Sequence, residues 1–162
     1  MVIFNLKAAF KNKYINGTDV EKIRLEKLAD DVNSALRNVS QDPIKFNNPY
    51  KSGSKVFERV VTREEKYVRL ITKDGDNFVN NPTGKWLARE SDIQGLTASQ
   101  IKNKYTLPFE PTHIIDVKIS TGTKIREGVA GAVDGWGSGG NTQIELLENI
   151  DGFDLSSIRK IS

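Results

Sequence analysis

The chain has no cysteine and only one histidine, His113, among its 162 residues. Without cysteine there are no disulfide staples, no thiolate nucleophile and none of the cysteine-bearing zinc sites. One imidazole excludes a histidine-built metal centre and a nuclease that works with two histidines, so no metal is expected. Long apolar runs are also missing. No stretch approaches the eighteen or so consecutive apolar residues that a membrane helix needs. Residues 1–7, Met-Val-Ile-Phe-Asn-Leu-Lys, are too short for the apolar segment of a secretory signal. Neither membrane insertion nor signal-peptide export is expected. Charge of one sign is lacking as well: 24 Lys and Arg alternate with 21 Asp and Glu, for a net charge of +3. That surplus permits contact with nucleic acid or an anionic ligand without requiring either.

What is present is ordinary for a soluble domain: 37% hydrophobic and 28% charged residues. A chain of this length buries roughly two thirds of its unfolded surface in one core. Thr18 with Glu21 three residues on has the form of a capping box, and Val20, Ile23, Leu28, Val32, Leu36 and Val39 follow at helical spacing. This predicts an amphipathic helix of about five turns. Residues 40–54 collect Pro43, Asn47, Asn48, Pro49 and Gly53 and read as a linker. The organisation expected is therefore a helical and linking segment over residues 1–54 and a working domain over residues 55–162.

In the second part residues 66–72 predict a strand with Val68 and Leu70 on one face and Tyr67, Arg69 and Ile71 on the other. Thr97 and Gln100 form a second capping box, opening a short helix that Pro108 and Pro111 stop. Residues 112–119 alternate, with His113, Ile115, Val117 and Ile119 on one face. Residues 124–129 return the chain, and residues 157–161 are strand-like. The fold class expected is α+β: a mostly antiparallel β-sheet core with one long N-terminal helix and one short helix.

The stretch that stands out is Gly135-Trp136-Gly137-Ser138-Gly139-Gly140-Asn141-Thr142 running into Gln143-Ile144-Glu145-Leu146-Leu147. Four glycines around a tryptophan lose much backbone freedom on ordering, and something must offset that. If the segment after the loop is a strand, Gln143 and Glu145 project side by side at its start. Solvent-facing strand residues would show the same alternation.

The strand at residues 117–119, its Ser120-Thr121-Gly122-Thr123-Lys124 turn, the glycine-rich loop and Gln143-Ile144-Glu145-Leu146-Leu147 together resemble the back half of bacterial ADP-ribosyltransferase toxins. Arg69, Gly84-Lys85-Trp86 and Gly139-Gly140-Asn141-Thr142-Gln143 resemble the tuberculosis-necrotizing-toxin type of NAD glycohydrolase. The chain also resembles the C-terminal toxin modules of contact-dependent inhibition and other polymorphic toxin systems. The resemblance spans about residues 65–150. It implies an ADP-ribosyltransferase-like sheet and a toxin that consumes NAD as substrate with no permanently bound cofactor. Arg69 would grip the NAD phosphates, and Gln143 and Glu145 would stabilise the ribosyl oxocarbenium. Trp136, Gly139, Gly140 and Thr142 would contribute to the dinucleotide site as a mobile lid. A Ser-Thr-Ser strand usual in the transferases is missing, since Ser120-Thr121 falls in a turn. The implied partners are a cognate immunity protein and, for a transferase, a protein acceptor. The implied place of action is the target-cell cytoplasm, reached by secretion or delivery.

A second chemistry is compatible with the residues. A metal-independent ribonuclease toxin needs a general base or acid and cations around the phosphorane. His113 with Lys118, Thr121, Thr123 and Arg126 offers those groups, with RNA as partner. A binding module with Trp136 as interface anchor is a third reading.

Overall fold

The computed structural model describes residues 24–161. In chain order its elements are β1 (Leu25–Leu28), α1 (Ala29–Asn38), β2 (Lys55–Val60), β3 (Glu65–Ile71), β4 (Lys73–Asp74), β5 (Asn77–Phe78), β6 (Trp86–Leu87), α2 (Glu90–Ile93), α3 (Ala98–Tyr105), β7 (His113–Ile119), β8 (Lys124–Val129), β9 (Thr142–Leu146) and β10 (Phe153–Lys160). Two antiparallel sheets are stacked, one ordered β1-β2-β8-β9-β6 and the other β10-β7-β3.

Strict alternation in the long strands explains the layering. Ile125, Leu87, Ile144 and Leu146 from the first sheet meet Tyr67, Ile71, Ile115, Val117 and Ile119 from the second in one core. The opposite faces carry their own apolar rows. Val68, Leu70 and Ile114 pack beneath Ile93 of α2 and Ile101 and Tyr105 of α3. Val56 packs beneath Ala29 and Val32 of α1, together with Tyr50. The order of layers is thus helix, sheet, sheet, helix. The sheets are joined where Val68 and Ala88 exchange both backbone hydrogen bonds at 2.9 Å. That junction hangs the short β6 between the two sheets, and the site grows around it.

The mostly antiparallel α+β expectation is met, and so are the faces assigned to β3 and β7. The capping box at Thr97 and Gln100 forms in both directions. The five-turn helix does not extend through Leu28. Its start, including Thr18 and Glu21, lies outside the described residues. Leu25–Leu28 is a strand paired with Lys55–Glu58 of β2, and the helix is Ala29–Asn38. Four ladder pairs, the Lys27–Glu58 and Lys55–Glu26 ion pairs and Arg24 over the Phe57 ring hold β1 extended. Leu28 and Val39, which share the helical spacing, are both exposed. Residues on the two sides of the 54/55 division share this sheet.

Candidate functional site

A cavity of about 580 Å³ opens beside β6. One wall comes from α1 and the segment after it, through Leu36, Phe46 and Asn47. The opposite wall comes from Tyr105, Leu107 and Pro108, and Trp86, Trp136 and Val133 complete the apolar lining. Arg69, Lys85 and Gln143 are among its polar groups. The segment after α1 is strapped down by Arg37, which donates to the Pro43 carbonyl and the Asn48 side chain and stacks on Phe46. Residues that read as a linker in the sequence therefore form a wall of the cavity.

Arg69 is the distinctive group. Its Nε and Nη2 donate to the Asn81 carbonyl at 3.2 and 2.8 Å, and its Nη1 donates to the Trp86 carbonyl at 2.9 Å. No carboxylate faces it among the described residues, and burial pushes its pKa down to about 10. It remains a cation at neutral pH. Other half-buried arginines are neutralised: Arg59 by Glu65 and Glu127, Arg89 by Glu127, Arg126 by Glu58 and Glu145, and Arg159 by Glu90 and Asp116. A guanidinium has five N–H donors, so Arg69 retains one on each Nη. A half-buried cation without an anion is costly to keep. It is what an anionic ligand would satisfy.

Gln143 is buried, and its Nε2 donates to the Pro49 carbonyl at 2.8 Å. A carbonyl can only accept, so this contact fixes which end of the amide is nitrogen. Oε1 has no donor among the described residues and is left for the cavity.

Glu145 is placed differently. It is 1% exposed and lies on the same face of β9 as Gln143, in a cross-strand row with Glu58 and Arg126. Oε1 accepts from the Tyr50 hydroxyl at 2.8 Å and from Arg126 Nη1 at 2.7 Å, and Oε2 accepts from Lys85 Nζ at 2.9 Å. Burial and the adjacent Glu145 charge push the Tyr50 hydroxyl far above its usual range, so it stays a donor. For Arg126 burial works against the charged form, but Glu145 and Glu58 outweigh it and the pKa rises. Both carboxylate oxygens are consumed inside the protein. Glu145 contributes to the lining of a neighbouring cavity rather than that of Arg69 and Gln143, and Lys85 lines both.

The glycine-rich loop is tied to α3. Lys102 Nζ donates to the carbonyls of Gly135 and Trp136, and Asn103 Nδ2 donates to Ser138 Oγ. Ser138 N returns a bond to Asn103 Oδ1, while Gly139 N and Asn141 N donate to the carbonyls of Asn103 and Lys104. Gly139, with φ of 73°, approaches the Ala130 carbonyl so closely that a Cβ would lie 2.2 Å from its oxygen. The entropic cost of ordering the glycines is offset by these bonds, and Trp136 lines the cavity from within this bonded loop. Asn103→Ala removes two of the bonds, each of about 1 kcal/mol. Amide protection at Ser138 should fall roughly thirtyfold by hydrogen exchange while the β7 amides keep theirs.

The structure brings Arg69, Trp136 and Gln143 to one cavity. Thr142 pairs with Val129 in the β8–β9 ladder, and Gly140 N donates to the Ala130 carbonyl, so both serve the loop's anchorage. His113 begins β7, its Nδ1 2.7 Å from Thr112 Oγ1, and lines none of the cavities described here. Burial and the charges of Lys73 and Lys160 lower its pKa. Lys118 is five residues further along β7, roughly 17 Å away, Thr123 is buried, and Arg126 is committed to carboxylates in the other sheet. The ribonuclease constellation is not assembled. Tyr50 and the Asn81 carbonyl were missed by sequence reasoning, which named Lys85 only within Gly84-Lys85-Trp86 and Arg126 only beside His113.

No protein-family model matches this chain, and no curated protein does. A solved structure described as Tne2 in complex with Tni2 is similar at 16% identity and a TM-score of 0.45, over 70% of this chain and 92% of that one. A likeness of that degree carries no argument about activity.

Proposed function

We infer that this chain is a toxin effector domain that hydrolyses NAD at the nicotinamide–ribose bond. The observation that carries the reading is Arg69, a half-buried guanidinium with no carboxylate, in a cavity walled by tryptophans and reached by the free oxygen of Gln143. A planar fork with one N–H on each Nη suits a pyrophosphate. The rings of Trp86 and Trp136 suit the flat ends of a dinucleotide. The Gln143 amide oxygen is a fixed dipole for the positive charge that develops on the ribose as the C–N bond breaks. Water adds to the anomeric carbon, nicotinamide leaves with the bonding pair, and the surplus proton passes to solvent.

Glu145 acts at one remove in this scheme. Its carboxylate holds Lys85 and, through Tyr50, the edge of Trp86, whose ring lies 5.8 Å from that of Tyr50. Hydrolysis is favoured over transfer to a protein, because the loop that would present an acceptor is bonded to α3. Such an enzyme depletes the NAD of whichever cytoplasm holds it. The producing cell therefore needs an immunity protein, and the target cell does not have one.

The test is incubation of the purified chain with NAD, with nicotinamide followed by chromatography. Stoichiometric nicotinamide and ADP-ribose are expected, with His113→Ala within twofold of the parent. Intact NAD together with cleaved transfer RNA would replace this reading by the ribonuclease one.

A further inference from the structure

Gly84 is the fourth residue of the Asn81–Gly84 turn and has no positive φ, so its own backbone does not require glycine. What requires it is Arg69. A Cβ at position 84 would lie 2.5 Å from Arg69 Nη2 and 2.9 Å from Cζ, while its next neighbour, the Asn81 carbonyl oxygen, would be 3.3 Å away. The guanidinium thus sits against the bare α-carbon of Gly84. The same short turn holds it from the side: Asn81 O accepts from Arg69 Nε and Nη2 and also from Gly84 N at 3.1 Å. Two residues on, the Trp86 carbonyl takes Nη1. Residues 81–86 therefore form a cradle of carbonyls around a cation, with glycine at the one point where a side chain would displace it.

We propose that Gly84 is a positioning residue for an anion site, its missing side chain setting the pose in which Arg69 meets a diphosphate. The ligand class rests on the NAD reading above; the positioning itself rests on the cradle. An added methyl moves the guanidinium by about 1 Å to restore ordinary contact, and misplacement of that size costs up to about a hundredfold in a positioned reaction. Lysine at position 69 keeps the charge without the planar head that collides with a Cβ at position 84.

The experiment is a double-mutant cycle on the full chain, with Gly84→Ala, Arg69→Lys and the pair, using ADP as the probe in calorimetry. Gly84→Ala is expected to weaken ADP at least tenfold with the melting temperature kept. Adding it to Arg69→Lys is expected to change affinity less than twofold. Parental affinity in Gly84→Ala overturns the proposal, as does an equal loss in both backgrounds, which would place the effect elsewhere. The exchange rate of the Arg69 Nε proton, followed by NMR without ligand, is expected to rise at least tenfold in Gly84→Ala. An unchanged rate overturns the positioning claim even if ADP fails to bind the parent, an outcome that by itself overturns only the diphosphate reading.

Discussion

Glu145→Ala is expected to lower stability by about 3–5 kcal/mol, the usual cost of removing one partner of a buried charge cluster. In a chain of this size that corresponds to a fall in melting temperature of about 10 °C. Among the described residues the carboxylate is the only acceptor for the Tyr50 hydroxyl and for Lys85 Nζ, and it shares Arg126 with Glu58. Without it a hydroxyl and a guanidinium stay buried with too few partners. The loss should depend little on salt, because the cluster is shielded from the ion atmosphere. Glu145→Gln keeps the shape and an acceptor oxygen, and should fall between the parent and the alanine variant. Thermal and urea unfolding of the three proteins measure this. A Glu145→Ala protein that melts with the parent but has lost all activity would restore a direct role for the carboxylate at the ribose.

Why the sequence suggested that direct role is instructive. Alternation along residues 143–147 correctly puts Gln143 and Glu145 on one face, because period 2 is a local property of a strand. What covers the face is not local. α1 and Tyr50 lie over it, and Tyr50 arrives from a segment whose prolines and asparagines read only as a linker. One signal was available. Counting back equal steps from the two ends of the glycine-rich loop pairs Val129 with Thr142 and then Arg126 with Glu145, an ion pair rather than a free carboxylate. The anchorage of the loop was hidden for a related reason. Its glycines are visible in sequence, but the bonds from Lys102 and Asn103 come from a helix some thirty residues earlier. Arg69 and Gln143 were legible because each is a polar residue placed within an apolar strand. The extent of the N-terminal helix was not, since pairing with β2 overrides the helical spacing at Leu28.

The same contrast between paired and unpaired charge makes the last prediction. Arg69→Ala should lower kcat/KM for NAD about a hundredfold, the effect of losing two charge-assisted bonds to phosphate and close to 3 kcal/mol. Its effect on the fold should have the opposite sign to that of Glu145→Ala. Among the described residues the guanidinium is held only by two carbonyls, one of which also accepts from Gly84 N, and burial already disfavours its charge. Removing it relieves a desolvation cost instead of exposing one. Arg69→Met, which refills the volume with an apolar chain, is therefore expected to melt at or above the parent while remaining as inactive as the alanine variant. Activity lost with stability kept or gained marks a group maintained for its ligand. Arg69→Lys, a point charge without the fork, should recover part of the rate. If Arg69→Met instead unfolds readily, the guanidinium serves the β6 junction, and the anion it was assigned has no place in this cavity.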